Sequence, residues 1–422
     1  MHPVPFDAAR ETARYLATVS QADVARAVAY TQGSHWLLVW DALISFVICL
    51  LIVRLGLLVR LAGHLQSTRQ RPNLVAFLSA ALFTIVRWAL EAPWSAYADW
   101  GRERAYGFTR QPFYDWLGQG LIEAVISSVF GGIFFVLLYG LIRRTGRWWP
   151  AWGTALATAF SFAALVIAPI FVAPAFNHYT PAPAGPVRDA VETLAREDGG
   201  KAPSIRVYDG SRQSNRFTAT VVGIGDSARI AMSDAMLQQG VGVEEVQAVV
   251  GHEIGHYRYG HLIWLATFLS GLFAVGFVLI DRLFPVTARL LGFSGNIADP
   301  AGLPVLTALI VALTLLATPL INTVQRTIEL QADNYSLAHA RLPDALVSAL
   351  LKTADYRSPS PSGLEEALFY DHPSIARRVR NAMDWKAAHF SLRPERAARD
   401  ADPNSSPAAA TPDRRGVRRS RR

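Results

Sequence analysis

Val249-Val250-Gly251-His252-Glu253-Ile254-Gly255-His256-Tyr257-Arg258-Tyr259-Gly260-His261 is the stretch on which the reading of this chain turns. It sits in a helical pattern from Val243 to Tyr259. His252 and His256 stand four apart, so a helix stacks them one turn above the other on one face. Two imidazoles so placed hold one Zn²⁺, and Glu253, beside the first, reaches its water as a general base. Such a site needs a third protein ligand and an open fourth position. One class supplies a His six residues after the second, behind a Gly. Here those positions hold Leu262 and Tyr259, and His261 falls one residue short. His261 therefore reads as a polar residue at a helix end or interface. The other common source is a Glu from a later helix. Arg326-Thr327-Ile328-Glu329-Leu330-Gln331-Ala332-Asp333 offers Glu329 as ligand, with Asp333 one turn on to accept a hydrogen bond from a ligand imidazole. By spacing alone, a solvated helix with an Arg326–Glu329 ion pair accounts for this segment equally. Its place just after an apolar run favours the ligand.

That run is one of six, at about 36–59, 73–98, 119–142, 151–175, 262–284 and 302–322. Each is long enough to cross about 30 Å of hydrocarbon as a helix. Trp36, Trp94, Trp100, Trp148 and Trp149 stand near their ends, as interfacial anchors do. Across the 422 residues, 51% are hydrophobic and 18% charged, which excludes a disordered chain. The expected fold is an α-helical polytopic membrane protein of about six transmembrane helices carrying a small α+β zincin-like (gluzincin) protease domain. The division expected is a polar helical segment at 1–35, four membrane helices within 36–176, a first protease part at 177–261, two membrane helices within 262–322, a second protease part at 323–398 and a disordered basic tail at 399–422. Strands are expected at Ser204–Asp209, Arg216–Ile224 and Arg229–Met232. Arg54, Arg87, Glu91 and Glu123, in or near apolar runs, face a bundle interior or aqueous cavity, or else snorkel from helix ends.

Half of the net charge of +8 comes from the tail, where Arg414, Arg415, Arg418, Arg419, Arg421 and Arg422 oppose Asp402 and Asp413. The basic balance is thus no nucleic-acid face, and no nucleic-acid motif is present. No basic region followed by an apolar core marks a cleavable signal peptide. The single Cys49 excludes a disulfide framework and a Cys-type zinc site.

His252-Glu-Ile-Gly-His256 together with Glu329-Leu-Gln-Ala-Asp333 resembles the type 1 CAAX prenyl proteases, integral-membrane zinc endopeptidases related to the HtpX-like proteases. The likeness extends to Ala173-Pro-Ala-Phe-Asn-His-Tyr-Thr-Pro181, to Ser214-Asn215-Arg216-Phe217-Thr218, to Arg229-Ile-Ala-Met-Ser-Asp-Ala-Met-Leu237 and to His372-Pro373 with Arg378. Pro93-Trp94-Ser95 and Tyr106-Gly-Phe-Thr-Arg-Gln111 resemble a loop between early spans, so the similarity covers roughly 36–390. It implies His252, His256 and Glu329 as ligands of one Zn²⁺ per chain and Glu253 as base. It further implies His372 at the developing oxyanion, Asn215 on the substrate backbone and Arg378 supporting the site. Eukaryotic members have seven spans around a water-filled chamber. Six runs are present here, the family's first span being the one that is missing, and Thr109, Pro112 and Arg216 depart from the family pattern. The reaction implied is endopeptidase hydrolysis of a membrane-associated or C-terminal peptide, with peptide or protein and membrane lipid as partners and no nucleic acid. The competing readings are a non-catalytic, zinc-stabilised chaperone or quality-control factor and a transporter. The expected location is a bacterial inner membrane, with the protease domain facing the cytoplasm on the strength of the Arg-rich tail and Arg377, Arg378 and Arg380.

Overall fold

The computed structural model describes residues 6–66, 70–197, 204–216, 218–222, 229–237 and 241–390. The basic tail expected at 399–422 lies outside the described residues. Helices run over Ala8–Leu16 (α1), Gln21–Arg54 (α2), Leu57–Gln66 (α3), Pro72–Ser95 (α4), Arg102–Ala105 (α5), Phe113–Thr145 (α6) and Trp149–Ile167 (α7). They continue over Pro186–Glu197 (α8), Val243–Arg258 (α9), His261–Leu291 (α10), Leu303–His339 (α11), Pro343–Lys352 (α12), Gly363–Phe369 (α13) and Ile375–Phe390 (α14).

Among the described residues, five helical stretches are long and apolar enough to cross a membrane: Gln21–Arg54, Pro72–Ala105, Phe113–Ala175, His261–Leu291 and Pro300–His339. The third is 63 residues long and turns at Gly146, whose φ of +53° is open to glycine. A Cβ added at Gly153 would lie 3.3 Å from the Leu138 side chain, positions that a straight helix holds about 22 Å apart. The stretch is therefore a hairpin of α6 and α7, and the six apolar runs of the sequence correspond to α2, α4, α6, α7, α10 and α11. Their inner faces meet in one core around Ile52, Leu138, Tyr139, Phe284 and Leu303. Trp36, Val47, Val125, Trp264, Val278 and Leu316 point outward and exposed, the side that lipid covers.

Two expected boundaries have no counterpart in the helices. Helix α2 begins at Gln21, inside the segment read as a separate polar unit, because Ser20 caps it by accepting from the Asp23 amide. Helix α11 passes through 322/323 unbroken, since no glycine follows Pro319 before His339. Glu91 and Glu123 line a cavity of about 650 Å³ together with Asp99, Trp88 and Trp116. Arg87 reaches Glu91 at 3.3 Å, and Arg54 packs against Gly292.

The second layer is a four-stranded sheet of β1 (Tyr179–Pro181), β2 (Ser204–Tyr208), β3 (Ala219–Val222) and β4 (Arg229–Ser233), in the order β1-β2-β4-β3. β2 and β4 are parallel, with Ile205 opposite Ile230; β3 and β4 are antiparallel, with Ala219 opposite Met232. β3 is thus an edge strand. Ile205, Val207, Ile230 and Met232 bury against Val191 and Leu194 of α8 and against Val246 and Val250 of α9. β1 was not expected; three residues are too few to show an alternation.

Helix α9 then packs on α11 through two glycines. A Cβ at Gly255 would fall 2.8 Å from the Tyr335 Cβ and 3.2 Å from the Ala332 Cα; one at Gly251 would fall 3.1 Å from the Ser336 hydroxyl. Ser336 Oγ donates to the Ala248 carbonyl at 2.7 Å across the same seam. The glycines of the opening stretch therefore set the distance between the helix with the histidines and the helix with the carboxylates. Gly255→Ala is expected to lower stability by about 1–3 kcal/mol, read as a lower melting temperature, and to lower zinc content. Gly271→Ala, with nothing within 4 Å of the added carbon, leaves both unchanged.

Candidate metal centre

On α9, His252 and His256 face α11, where Glu329 and Asp333 occupy successive turns. His252 Nε2 lies 3.0 Å from His256 Nε2 and 3.2 Å from Glu329 Oε2, and His256 Nε2 lies 3.5 Å from Glu329 Oε1. A tetrahedral site with zinc–ligand bonds of 2.0–2.1 Å has edges of about 3.3 Å between ligand atoms. The three separations fall around that value. All three ligand atoms lie within 4.8 Å of one another. Glu329 Oε2 is buried without a hydrogen-bond partner. A buried carboxylate oxygen left so costs free energy, and a cation between it and the two imidazoles removes the cost. These residues fit a zinc ion.

The outer nitrogens explain why the inner ones converge. His252 Nδ1 meets Asp333 Oδ1 at 2.9 Å. Asp333 is in turn held by Arg378, whose Nε and NH2 donate to its two oxygens at 2.7 and 2.6 Å. Both are buried. With its Nδ1–H given to Asp333, His252 turns a lone pair inward on Nε2. Burial alone would hold His252 neutral. The hydrogen bond to Asp333 and the negative charge of Glu329 outweigh burial and raise its pKa to about 10, so the paired carboxylates call for a positive charge among them.

His256 has the same arrangement through a residue that sequence reading placed at a helix end. His261 is buried, its Nδ1 3.0 Å from His256 Nδ1 and its Nε2 2.9 Å from Gln331 Oε1. If Gln331 accepts from His261 Nε2–H, His261 Nδ1 accepts from His256 Nδ1–H, which leaves His256 Nε2 free to ligate. The turn is made by Gly260 at φ +62°, which starts α10 back toward the site. A glycine between two histidines five apart was the available signal, and periodicity does not register it.

Glu253, next to the first ligand, lines a cavity of about 470 Å³ with His252, Glu329, His372 and Arg378. Burial raises its pKa above the ordinary carboxylate value. His372 Nε2 stands 3.4 Å from Glu329 Oε1, and its Nδ1 2.8 Å from Asp371 Oδ1. Although burial opposes ionisation of Asp371, the hydrogen bond from His372 keeps its pKa low. The loop bearing them is fixed to α11: Arg326 donates to the Tyr370 and Glu366 carbonyls at 2.6 and 2.8 Å, and Asn322 to the Leu368 carbonyl at 3.1 Å. Arg326 is thus spent on carbonyls rather than on Glu329. Asn215 stands apart from this cavity; its amide donates to the Gly107 carbonyl at 3.0 Å and its backbone N–H to that of Phe108 at 2.9 Å. Three side chains that could hold a metal ion lie beside a cavity, which is the arrangement of a catalytic zinc site with one position open.

Two family models match the chain in tandem. The CAAX prenyl protease N-terminal model, described with five membrane helices, matches residues 8–178, and the peptidase family M48 model matches residues 181–386. The chain is 26% identical over 297 residues to a CAAX prenyl protease 1 homolog of Arabidopsis thaliana, covering 69% of each. It is 25% identical over 368 residues to CAAX prenyl protease 1 of Saccharomyces cerevisiae, covering 82% of this chain and 78% of that protein. The fold is similar to the crystal structure of S. mikatae Ste24p, with a TM-score of 0.62 and 21% identity over 89% of this chain and 88% of that one.

His261 acts on the centre through His256, so His261→Phe, which keeps a flat ring but no acceptor, is expected to weaken zinc binding about 10- to 100-fold in a chelator competition. Unchanged affinity in a folded variant contradicts the relay.

Proposed function

The chain belongs to peptidase family M48 and is a multi-pass membrane metalloprotease, and on that premise we propose how its centre cuts a peptide bond. His252, His256 and Glu329 hold one Zn²⁺, with Asp333 and Arg378 fixing the first imidazole. Bound zinc supplies Lewis acidity, polarising the scissile carbonyl and lowering the pKa of water toward about 7. The Glu253 carboxylate takes the proton of the attacking water and returns it to the leaving amine nitrogen. His372, its Nδ1–H held by Asp371, offers Nε2–H to the carbonyl oxygen as negative charge develops. Donors so placed contribute about 2.7–4 kcal/mol. The observation that carries the reading is the convergence of three ligand atoms beside a cavity that Glu253 and His372 share.

The substrate backbone adds to the outer edge of β3, which no strand covers among the described residues. Thr218 and Ala219, where this strand begins, line the cavity, and an unpaired edge offers main-chain hydrogen bonds to an extended peptide. Asn215, just upstream, holds the Gly107–Phe108 loop and presents its carbonyl oxygen to that peptide. By likeness to the CAAX prenyl proteases, the peptide is the C-terminal segment of a membrane-associated, prenylated protein. We place the protease domain on the cytoplasmic side of a bacterial inner membrane, on the positive charge of the tail. Arg378 adds nothing to that surface charge, because it is buried on Asp333.

Glu253→Gln is expected to retain one zinc per chain and to cut a farnesylated CAAX peptide at least about 10²-fold more slowly. Near wild-type turnover by that variant refutes the assignment. Glu253 must be ionised to accept a proton, so kcat/KM of the wild type is expected to fall on the acid side, and the residual activity of Glu253→Gln is expected to lack that limb.

A further inference from the structure

The active-site cavity carries three guanidinium groups, and two of them are committed. Arg378 is bidentate on Asp333. Arg216 pairs with Glu103 at 2.8 Å and donates to the Tyr30 hydroxyl at 2.8 Å. The third, Arg357, makes no ion pair among the described residues. Its NH2 stands 3.4 Å from His372 Nδ1, and its guanidinium lies 5.7 Å from the centre of the Tyr356 ring. Asp371, the acid nearest in sequence, is engaged by His372 at 2.8 Å. Arg357 also lines a second cavity, of about 390 Å³, reached past His372 and walled by Thr31, His35 and Asn322. An always-charged, planar donor fork stands where the two cavities adjoin, with no anion of its own.

We propose that Arg357 binds the C-terminal carboxylate of the substrate, so that the enzyme favours scissile bonds two or three residues from a free C-terminus. A guanidinium matches a carboxylate with two parallel hydrogen bonds, and partial burial strengthens the pair. The reach is right. Two consecutive contacts of 3.4 Å, with one imidazole between them, separate the guanidinium from Glu329. An extended segment of about three residues, roughly 10 Å, spans such a gap. The second cavity then gives the released short peptide room beside its anchor. This inference rests on the proteolytic reading above and adds to it the residue that counts from the chain end.

The experiment uses the full-length, zinc-loaded protein in detergent and one farnesylated CAAX peptide made in two forms, with a C-terminal carboxylate and with a C-terminal carboxamide. Wild type is expected to favour the acid by about 10- to 100-fold in kcat/KM, mostly through KM. Arg357→Gln brings the ratio of acid to amide near one, and Arg357→Lys, which keeps a point charge without the fork, falls between. The ratio is read within each variant, so lost yield or stability cancels. A wild-type ratio near one overturns the proposal. So does an Arg357→Gln variant that loses activity on both peptides equally, since that marks a support for His372 alone. A wild type that cuts neither peptide overturns the CAAX-type reading itself, and this inference falls with it.

Discussion

Everything in this molecule depends on the contact between α9 and α11. Gly251 and Gly255 let the two backbones approach until imidazole and carboxylate lone pairs face one another at 3.0–3.5 Å. Such an arrangement is unfavourable on its own, because electron-rich atoms are crowded together out of water. It persists because the surroundings fix it. Asp333 and His261 occupy the outer nitrogens and are themselves held by Arg378 and Gln331, so neither histidine can turn away to satisfy itself. A cation at the meeting point turns the crowding into coordination, which couples metal binding to the packing of the two helices.

The remaining machinery is attached to the same helix. Arg326 and Asn322, on the stretch of α11 leaving the membrane core, hold the 366–370 backbone and thereby His372. Glu245, near the start of α9, accepts from Lys352 and Ser348 of α12, which in turn packs on α14 through Leu346, Val379 and Met383. Helix α14 carries Arg378 back to Asp333. The proposed ligands, His372 and Arg378 are thus referenced to one rod rather than to separate loops, as the angstrom tolerances of catalysis require.

How much of this could be read in the sequence differs by element. His252, Glu253 and His256 were legible because one helical turn relates them. Glu329 and Asp333 were legible because they repeat that spacing just after an apolar run. The spans were legible from length alone, although α6 and α7 join through Gly146 into one helical stretch. What escaped was set by tertiary geometry. His261 is a ligand's partner only because Gly260 turns α10 back on α9. Arg326 read as an ion-pair partner of Glu329, yet burial sends it to carbonyls. The limits placed at 35 and 322 followed composition, whereas helical hydrogen bonding continues through both, since polar residues of good propensity extend a helix begun by apolar ones.

That continuity has a consequence for the substrate. The apolar run of α11 ends near Asn322, and Glu329 follows two turns later, about 10 Å along the helix axis. Helix α11 is continuous between them, so the distance from the end of the apolar run to the centre is fixed. A peptide tethered to the same bilayer searches a thin layer that contains the centre, and its effective concentration there exceeds what a free peptide of equal intrinsic affinity reaches in bulk water. Under the proposed function, the unbroken helix would favour membrane-attached chains before any side chain of the substrate is read, and would leave the β3 edge and the cavity to choose among them.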